Sequence, residues 1–254
     1  MIFCFSGCGN TLLVAGNLSK ILGERVTRIT INTPLKQDVT SHKRVIWMFP
    51  VYSWGVPHEV IDFIAKSEIK GADTTEHFMV STCGDDAGLT DKMWQKQIER
   101  RGWKAVSAFT VIMPNTYVLL PGFNVDPETV AADKLKRLPD RVTHVAHAIK
   151  CHSRISEITR GKMPWLKTRI LYPIFMKFLT SPRPFHHTDS CNGCGICSRT
   201  CPMGNVSIVN GQPQWGERCA MCLGCYHHCP KHSVAYGKIT EHKGQYHAPA
   251  IRND

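Results

Sequence analysis

Eight of the chain's twelve cysteines fall between Cys191 and Cys229, in two runs that share one internal spacing. The first run is Cys191, Cys194, Cys197 and Cys201, followed by Pro202; the second is Cys219, Cys222, Cys225 and Cys229, followed by Pro230. Thiols this dense are committed either to disulfides or to metal. A disulfide framework belongs to a short secreted chain. This chain has 254 residues and opens on no charged leader with a cleavage site, so metal ligation is favoured and the expected compartment is the cytoplasm.

Zinc and iron–sulfur both accept thiolates. Structural zinc prefers two separated pairs of ligands, whereas four close cysteines and a proline match the C-x2-C-x2-C-x3-C-P run of two-cluster bacterial ferredoxins. A loop of three cysteines wraps three corners of a cubane, and the helix that follows carries the fourth thiolate to the other cluster. On that pattern Cys191, Cys194, Cys197 and Cys229 hold one [4Fe-4S] cluster, and Cys219, Cys222, Cys225 and Cys201 hold a second. Residues 185–254 then form a small α+β ferredoxin-like domain, with Asn210-Gly211 in "VSIVNGQPQW" as a hairpin turn.

Residues 1–152 have a different texture, alternating apolar runs with helical periodicity. "MIFCF", "RVTRITI", "RVIWMFPV", "HFMVSTC" and "AVSAFTVIM" read as five strands. "TLLVAGNLSKIL" is a helix closed by Gly23, Pro57 opens another, and Asp126-Pro127 begins a long helix that runs to about His152. The expected fold is an α/β doubly wound parallel sheet, with ligand-binding loops after the strands. A polar, basic joint and one apolar helix with aromatic members fill 153–184.

The first loop after a strand is "FSGCGNT". It lacks the third glycine of the dinucleotide fingerprint and the Gly-Lys-Ser/Thr ending of the nucleotide P-loop. A short hydroxyl-rich loop on a helix N-terminus remains, able to surround one terminal phosphate with backbone N–H groups. Ser6, Cys8, Gly9, Asn10 and Thr11 resemble the flavodoxin phosphate loop Ser/Thr-x-Thr-Gly-x-Thr, with Cys8 where a hydroxyl normally stands. The implied cofactor is FMN. Two further loops suit its ring: Pro50, Val51, Tyr52, Ser53, Trp54 and Gly55 offer aromatic faces, and Thr82, Cys83, Gly84, Asp85 and Gly88 offer backbone polar groups. Cys83 is read mainly as a small residue that lets the backbone approach.

These loops, together with "MPNTYVLLPGF", the basic helix and both cysteine runs, resemble the family of flavodoxin–ferredoxin fusion proteins of anaerobic microbes. The resemblance covers nearly the whole chain. It implies a flavodoxin-like domain, FMN, two [4Fe-4S] clusters and ferredoxin-type electron transfer, and it leaves the substrate open.

The formal charge is +11, which brings nucleic acid into consideration, but no nucleic-acid-binding motif accompanies it. The basic residues concentrate in Thr159 to Pro184, which contains no acid. That stretch is either a solvated face or a dock for an acidic redox partner. The expected partners are a ferredoxin-type donor or acceptor, or a small-molecule acceptor. Neither nucleic acid nor membrane is expected, and a homodimer is left open. His144, His147, Cys151 and His152 read as surface, and so do His227 and His228. Two functions compete: an electron carrier, and an FMN-dependent reductase of a small organic substrate fed by the clusters.

Overall fold

The computed structural model describes residues 1–249. In its first part β1 (Ile2–Cys4), α1 (Asn10–Leu22), β2 (Val26–Arg28), β3 (Lys36–Asp38), β4 (Arg44–Pro50), α2 (His58–Lys66) and β5 (Glu68–Lys70) follow one another. Next come β6 (Glu76–Cys83), α3 (Thr90–Arg100), β7 (Lys104–Ile112), α4 (Glu128–Lys136), α5 (Leu138–Lys150) and β8 (Ser156–Glu157). Six strands form the main sheet in the order β2-β1-β4-β6-β7-β8, every pair parallel. The first five of these follow the flavodoxin order, in which the chain reverses direction across the sheet beside its first strand. β3 and β5 form a separate short parallel pair.

The sheet is covered on both faces, which is why β4 is apolar almost throughout. Phe3, Trp47, Phe63 and Trp94 fill one side; Ile2, Val14, Met48 and Val145 fill the other. A buried aromatic such as Trp47 is worth about 3–5 kcal/mol against alanine.

Two expectations need correction here. The sheet has six strands, not five: β8 is two residues long and lies inside the polar joint, where no apolar run announces it. The long helix expected after Pro127 is two helices, broken at Arg137 because Pro139 brings no N–H to continue the ladder.

The segment between the domains is helical from Pro164 to Phe178, as α6 (Pro164–Leu166), a π-helical turn (Lys167–Leu171) and α7 (Tyr172–Phe178). It is no free linker. Thr168 Oγ1 accepts from Leu89 N at 2.8 Å, Tyr172 OH donates to Val56 O at 2.7 Å, and Arg160 grips the buried Asp91. All of these partners belong to the sheet domain.

The second part has β9 (Phe185–His187), α8 (Ile196–Arg199), β10 (Val206–Val209), β11 (Gln212–Trp215), α9 (Gly224–His227) and β12 (Val234–Tyr236). β10 and β11 pair through Asn210 and Gly211, both at positive φ, as the hairpin signal requires. β9 and β12 pair antiparallel. Each cysteine run ends in a single helical turn, α8 or α9.

Candidate cofactor site

Three loops at the C-terminal ends of β1, β4 and β6 line one cavity of about 370 Å³, within the size range of small-molecule sites. The first loop follows β1 and lies at the switch point between β1 and β4. Gly9 takes φ 92° to turn the chain into α1, a conformation that favours glycine. Thr11 and Thr82 share a hydroxyl hydrogen bond of 2.7 Å, so one of the two keeps a proton to give into the cavity. Asn10 Nδ2 donates to Pro114 O at 2.8 Å. Its Oδ1 is buried without a partner, an orphaned acceptor at the cavity wall.

Cys8 does not act as a substitute hydroxyl. Its Sγ donates to the carbonyl of Cys222 at 3.2 Å, and burial pushes its thiol up to about 12. The side chain is committed to the second cysteine run, which leaves the backbone amide for an anion. Gly7 shows the same closeness: a Cβ there would lie 2.5 Å from Cys222 O and 2.6 Å from Cys222 Cβ.

The second loop is a strained turn. Ser53 and Trp54 both take positive φ, at 45° and 65°, while Tyr52 and Gly55 pair across it. Consecutive non-glycine residues in that region cost about 1–3 kcal/mol each. The inter-domain helix offsets part of this, since Thr168 Oγ1 donates to Trp54 O at 2.9 Å and Lys167 Nζ sits 5.1 Å from the indole centre. Pro50, Val51, Tyr52, Ser53 and Trp54 line the cavity, and burial holds the Tyr52 phenol neutral.

The third loop contributes Thr82, Cys83, Gly84 and Asp85. Lys134 fixes it by donating to Gly84 O at 2.8 Å while paired with Asp126. Three glycines expected at the site stand behind it. Gly9, Gly55 and Gly88 shape their loops without lining the cavity; Gly55 packs on the Tyr172 ring and Gly88 on Trp54.

Three further walls come from elsewhere. Met113 to Tyr117 lines the cavity, and the Tyr117 hydroxyl is buried without a partner between Phe123 and Phe175. Phe175, Met176 and Thr180 reach in from the inter-domain helix. Cys219 to Leu223, the head of the second cysteine run, closes the last side.

The cysteines gather in crossed sets. Cys191, Cys194, Cys197 and Cys229 line one small cavity. Cys201 lies instead near Cys219 and Cys225, whose thiols are pushed up first by burial and then by the neighbouring Cys201. Amide and indole N–H groups point at the second set: Asn205 N to Cys201 Sγ at 3.2 Å, Met221 N to Cys219 Sγ at 3.4 Å, and Trp215 Nε1 to Cys225 Sγ at 3.5 Å. Clustered thiolates with such donors fit iron–sulfur ligation.

His227 is buried, not on the surface. Its Nε2 donates to Thr116 O at 2.8 Å and its Nδ1 accepts from Tyr246 N at 3.1 Å, which fixes the neutral tautomer. Burial holds its pKa down to about 4. It staples α9 to the loop after β7. His228 is half-buried and stacks on His247, while His144, His147, Cys151 and His152 are exposed as expected.

The 4Fe-4S binding domain family matches residues 184–207. No curated protein matches the chain. Among solved structures, a flavone reductase is 14% identical with a TM-score of 0.37, over 85% of this chain and 80% of its own. A Fusobacterium nucleatum flavodoxin bound to flavin mononucleotide is 12% identical with a TM-score of 0.35, over 57% of this chain and 95% of its own. The rubredoxin oxygen:oxidoreductase of the anaerobe Desulfovibrio gigas is 17% identical with a TM-score of 0.36, over 59% of this chain. The chain spans 36% of that protein. The fold assignment rests on the strand order and not on these likenesses. Strand order and the matched cysteine segment define an open α/β sheet domain joined to an iron–sulfur domain. The chain is thus a fusion of a flavodoxin-like and a ferredoxin-type domain.

Proposed function

We propose that the chain is a cytoplasmic iron–sulfur flavoprotein that moves electrons between two [4Fe-4S] clusters and FMN in low-potential anaerobic redox metabolism. One observation carries this reading: the second cysteine run forms a wall of the same cavity that the three sheet loops line. When bound, the clusters would supply one-electron chemistry, and the flavin would join it to two-electron chemistry.

The chain's own residues hold and shape the site. Backbone N–H groups of Ser6 to Thr11 and the Thr11 hydroxyl would bind the phosphate, and Tyr52 and Trp54 would flank the ring system. Cys191, Cys194, Cys197 and Cys229 would hold the outer cluster, and Cys219, Cys222, Cys225 and Cys201 the inner one. Cys194 is exposed, so a ferredoxin-type donor or acceptor would approach the outer set. Thr11→Ala should weaken FMN binding by roughly 1.5–3 kcal/mol, the worth of a hydrogen bond to a charged group. Titration of the apo-protein checks this, and equal affinity for riboflavin and FMN would defeat the phosphate assignment.

The Tyr117 hydroxyl favours a second reading, an FMN-dependent reductase of a small organic substrate. Its O–H lies in the cavity wall with no partner among the described residues, and burial keeps it protonated at neutral pH, so it is placed to donate a hydrogen bond to an oxygen of a bound substrate. Reduced protein mixed with a panel of acceptors separates the two. Fast reduction of one acceptor, slowed in Tyr117→Phe, supports the reductase; slow transfer to many acceptors supports the carrier.

A further inference from the structure

The inter-domain helix has two unlike sides. Thr168, Tyr172, Phe175 and Met176 face the sheet domain and the cavity. The other side is apolar and bare: Ile170, Ile174 and Phe178 recur every fourth residue at 40%, 48% and 66% exposure, with Leu171 and Leu179 beside them. Met163 and Trp165 at the head of the segment are 65% and 61% exposed. An exposed apolar stripe of this length on a helix is at home only where something other than water covers it.

The charges say what covers it. Between Thr159 and Pro184 no acidic residue occurs. Arg160 and Lys167 are neutralised by Asp91 and Asp86 of the sheet domain. Lys162, Arg169, Lys177 and Arg183 are exposed and pair with no carboxylate among the described residues. Lys177 Nζ lies 5.2 Å from the Phe178 ring centre, with its aliphatic stem available to apolar surroundings and its charge free.

We infer that this face docks on an anionic lipid surface. Exposed Trp, Phe, Ile and Leu interleaved with uncompensated cations are the composition of helices that lie in the membrane interface. Two copies of the same face would bring eight like charges together. An acidic protein would meet the cations but leave the aliphatic stripe without a counterpart. The sequence-level expectation of no membrane contact followed from the lack of a spanning run, and an interfacial helix needs none; among the described residues no helix is long and apolar enough to cross. The inference does not depend on which cofactor occupies the cavity.

The test uses the intact, cofactor-loaded protein under anaerobic conditions, with vesicles of phosphatidylglycerol or of phosphatidylcholine. The protein should co-sediment with the anionic vesicles and not with the neutral ones. Ile174→Glu combined with Phe178→Glu should reduce the bound fraction about tenfold or more, with iron content and circular dichroism unchanged. Should that variant fail to fold, bromine-labelled lipid gives a second measurement: it should quench tryptophan emission in the parent and far less in Trp165→Phe. Equal binding of the parent and the glutamate variant would reduce the effect to bulk charge and overturn the inference. So would absence of binding at low salt. A dimer split by the same substitutions, without vesicle binding, would assign the face to a second copy. Salt-sensitive binding of an acidic ferredoxin lost in the variant, again without vesicle binding, would assign it to a protein.

Discussion

The two cysteine runs are copies in spacing and nearly so in burial, yet one faces turns of its own domain and the other faces the sheet domain. The outer set borders a small cavity among turns of its own domain, and Cys194 is exposed. The inner set packs on the sheet domain, where Cys222 touches Gly7 and Cys8 of the first loop. Spacing therefore sets which thiols can gather, and the sheet domain sets what the gathered thiols experience. Burial pushes the Cys222 and Cys225 thiols up strongly, so the inner set gains most from a metal that keeps it ionised.

The largest expected effect comes from breaking each set at its crossed member. On the proposed function, Cys201→Ala should lose the inner set's iron and loosen FMN, because the inner loop is a wall of the cavity. Cys229→Ala should lose the outer set's iron and leave FMN in place. Iron analysis with spectroscopy of the two single mutants checks this; loss of iron from the mutant's own run would overturn the crossing.

A change on the sheet side alone should reach the inner set. In Gly7→Val the side chain meets the backbone of Cys222, an overpacking that costs about 1–3 kcal/mol or more. The inner set should then become easier to strip with chelator while the outer set is unchanged. Equal stripping rates would mean that the two domains merely touch.

At His77, acid probes the sheet domain by itself. His77 is buried, receives an N–H from Trp47 at 3.0 Å and stacks 5.0 Å from Trp103. Burial lowers its pKa from 6.5 to about 4. Between those values the unfolded chain takes up a proton that the folded chain refuses, so stability falls as pH falls, by about 3 kcal/mol over the whole window. Thermal unfolding followed by the tryptophan signal should show this, and His77→Phe should remove that share of the dependence and leave the share of His227, whose pKa burial also lowers to about 4.

The smallest effect is electronic. Trp215→Phe removes the indole N–H that points at Cys225 Sγ. Losing a hydrogen bond of 0.5–1.5 kcal/mol should shift the inner set's one-electron potential down by about 20–65 mV, with the outer set fixed. Anaerobic redox titration reads both at once.

What the sequence made legible was local. The strand–helix alternation, the Asn210-Gly211 hairpin and the paired cysteine runs are written in neighbouring residues, and the structure follows them. β8 escaped because two polar residues carry no periodicity, and their strand character comes from β7 beside them. Phe175, Met176 and the Cys219–Leu223 wall escaped for a related reason: each reaches the cavity through contacts far along the chain. His227 reads as a polar loop residue until the acceptor of its proton, Thr116 O, is seen 111 positions away. That the first loop borders a cavity was legible, but the partner of Cys8 was not, since the carbonyl it donates to belongs to the other domain.

That last contact has a consequence for synthesis. Cys8 and Cys222 are 214 positions apart. At 5–20 residues per second, the ribosome delivers the second about 10–40 s after the first. During that interval the sheet strands up to β7 have already emerged and can pair, while Gly7 and its neighbours face solvent with their cover not yet made. The first functional loop to be translated is thus among the last to be finished.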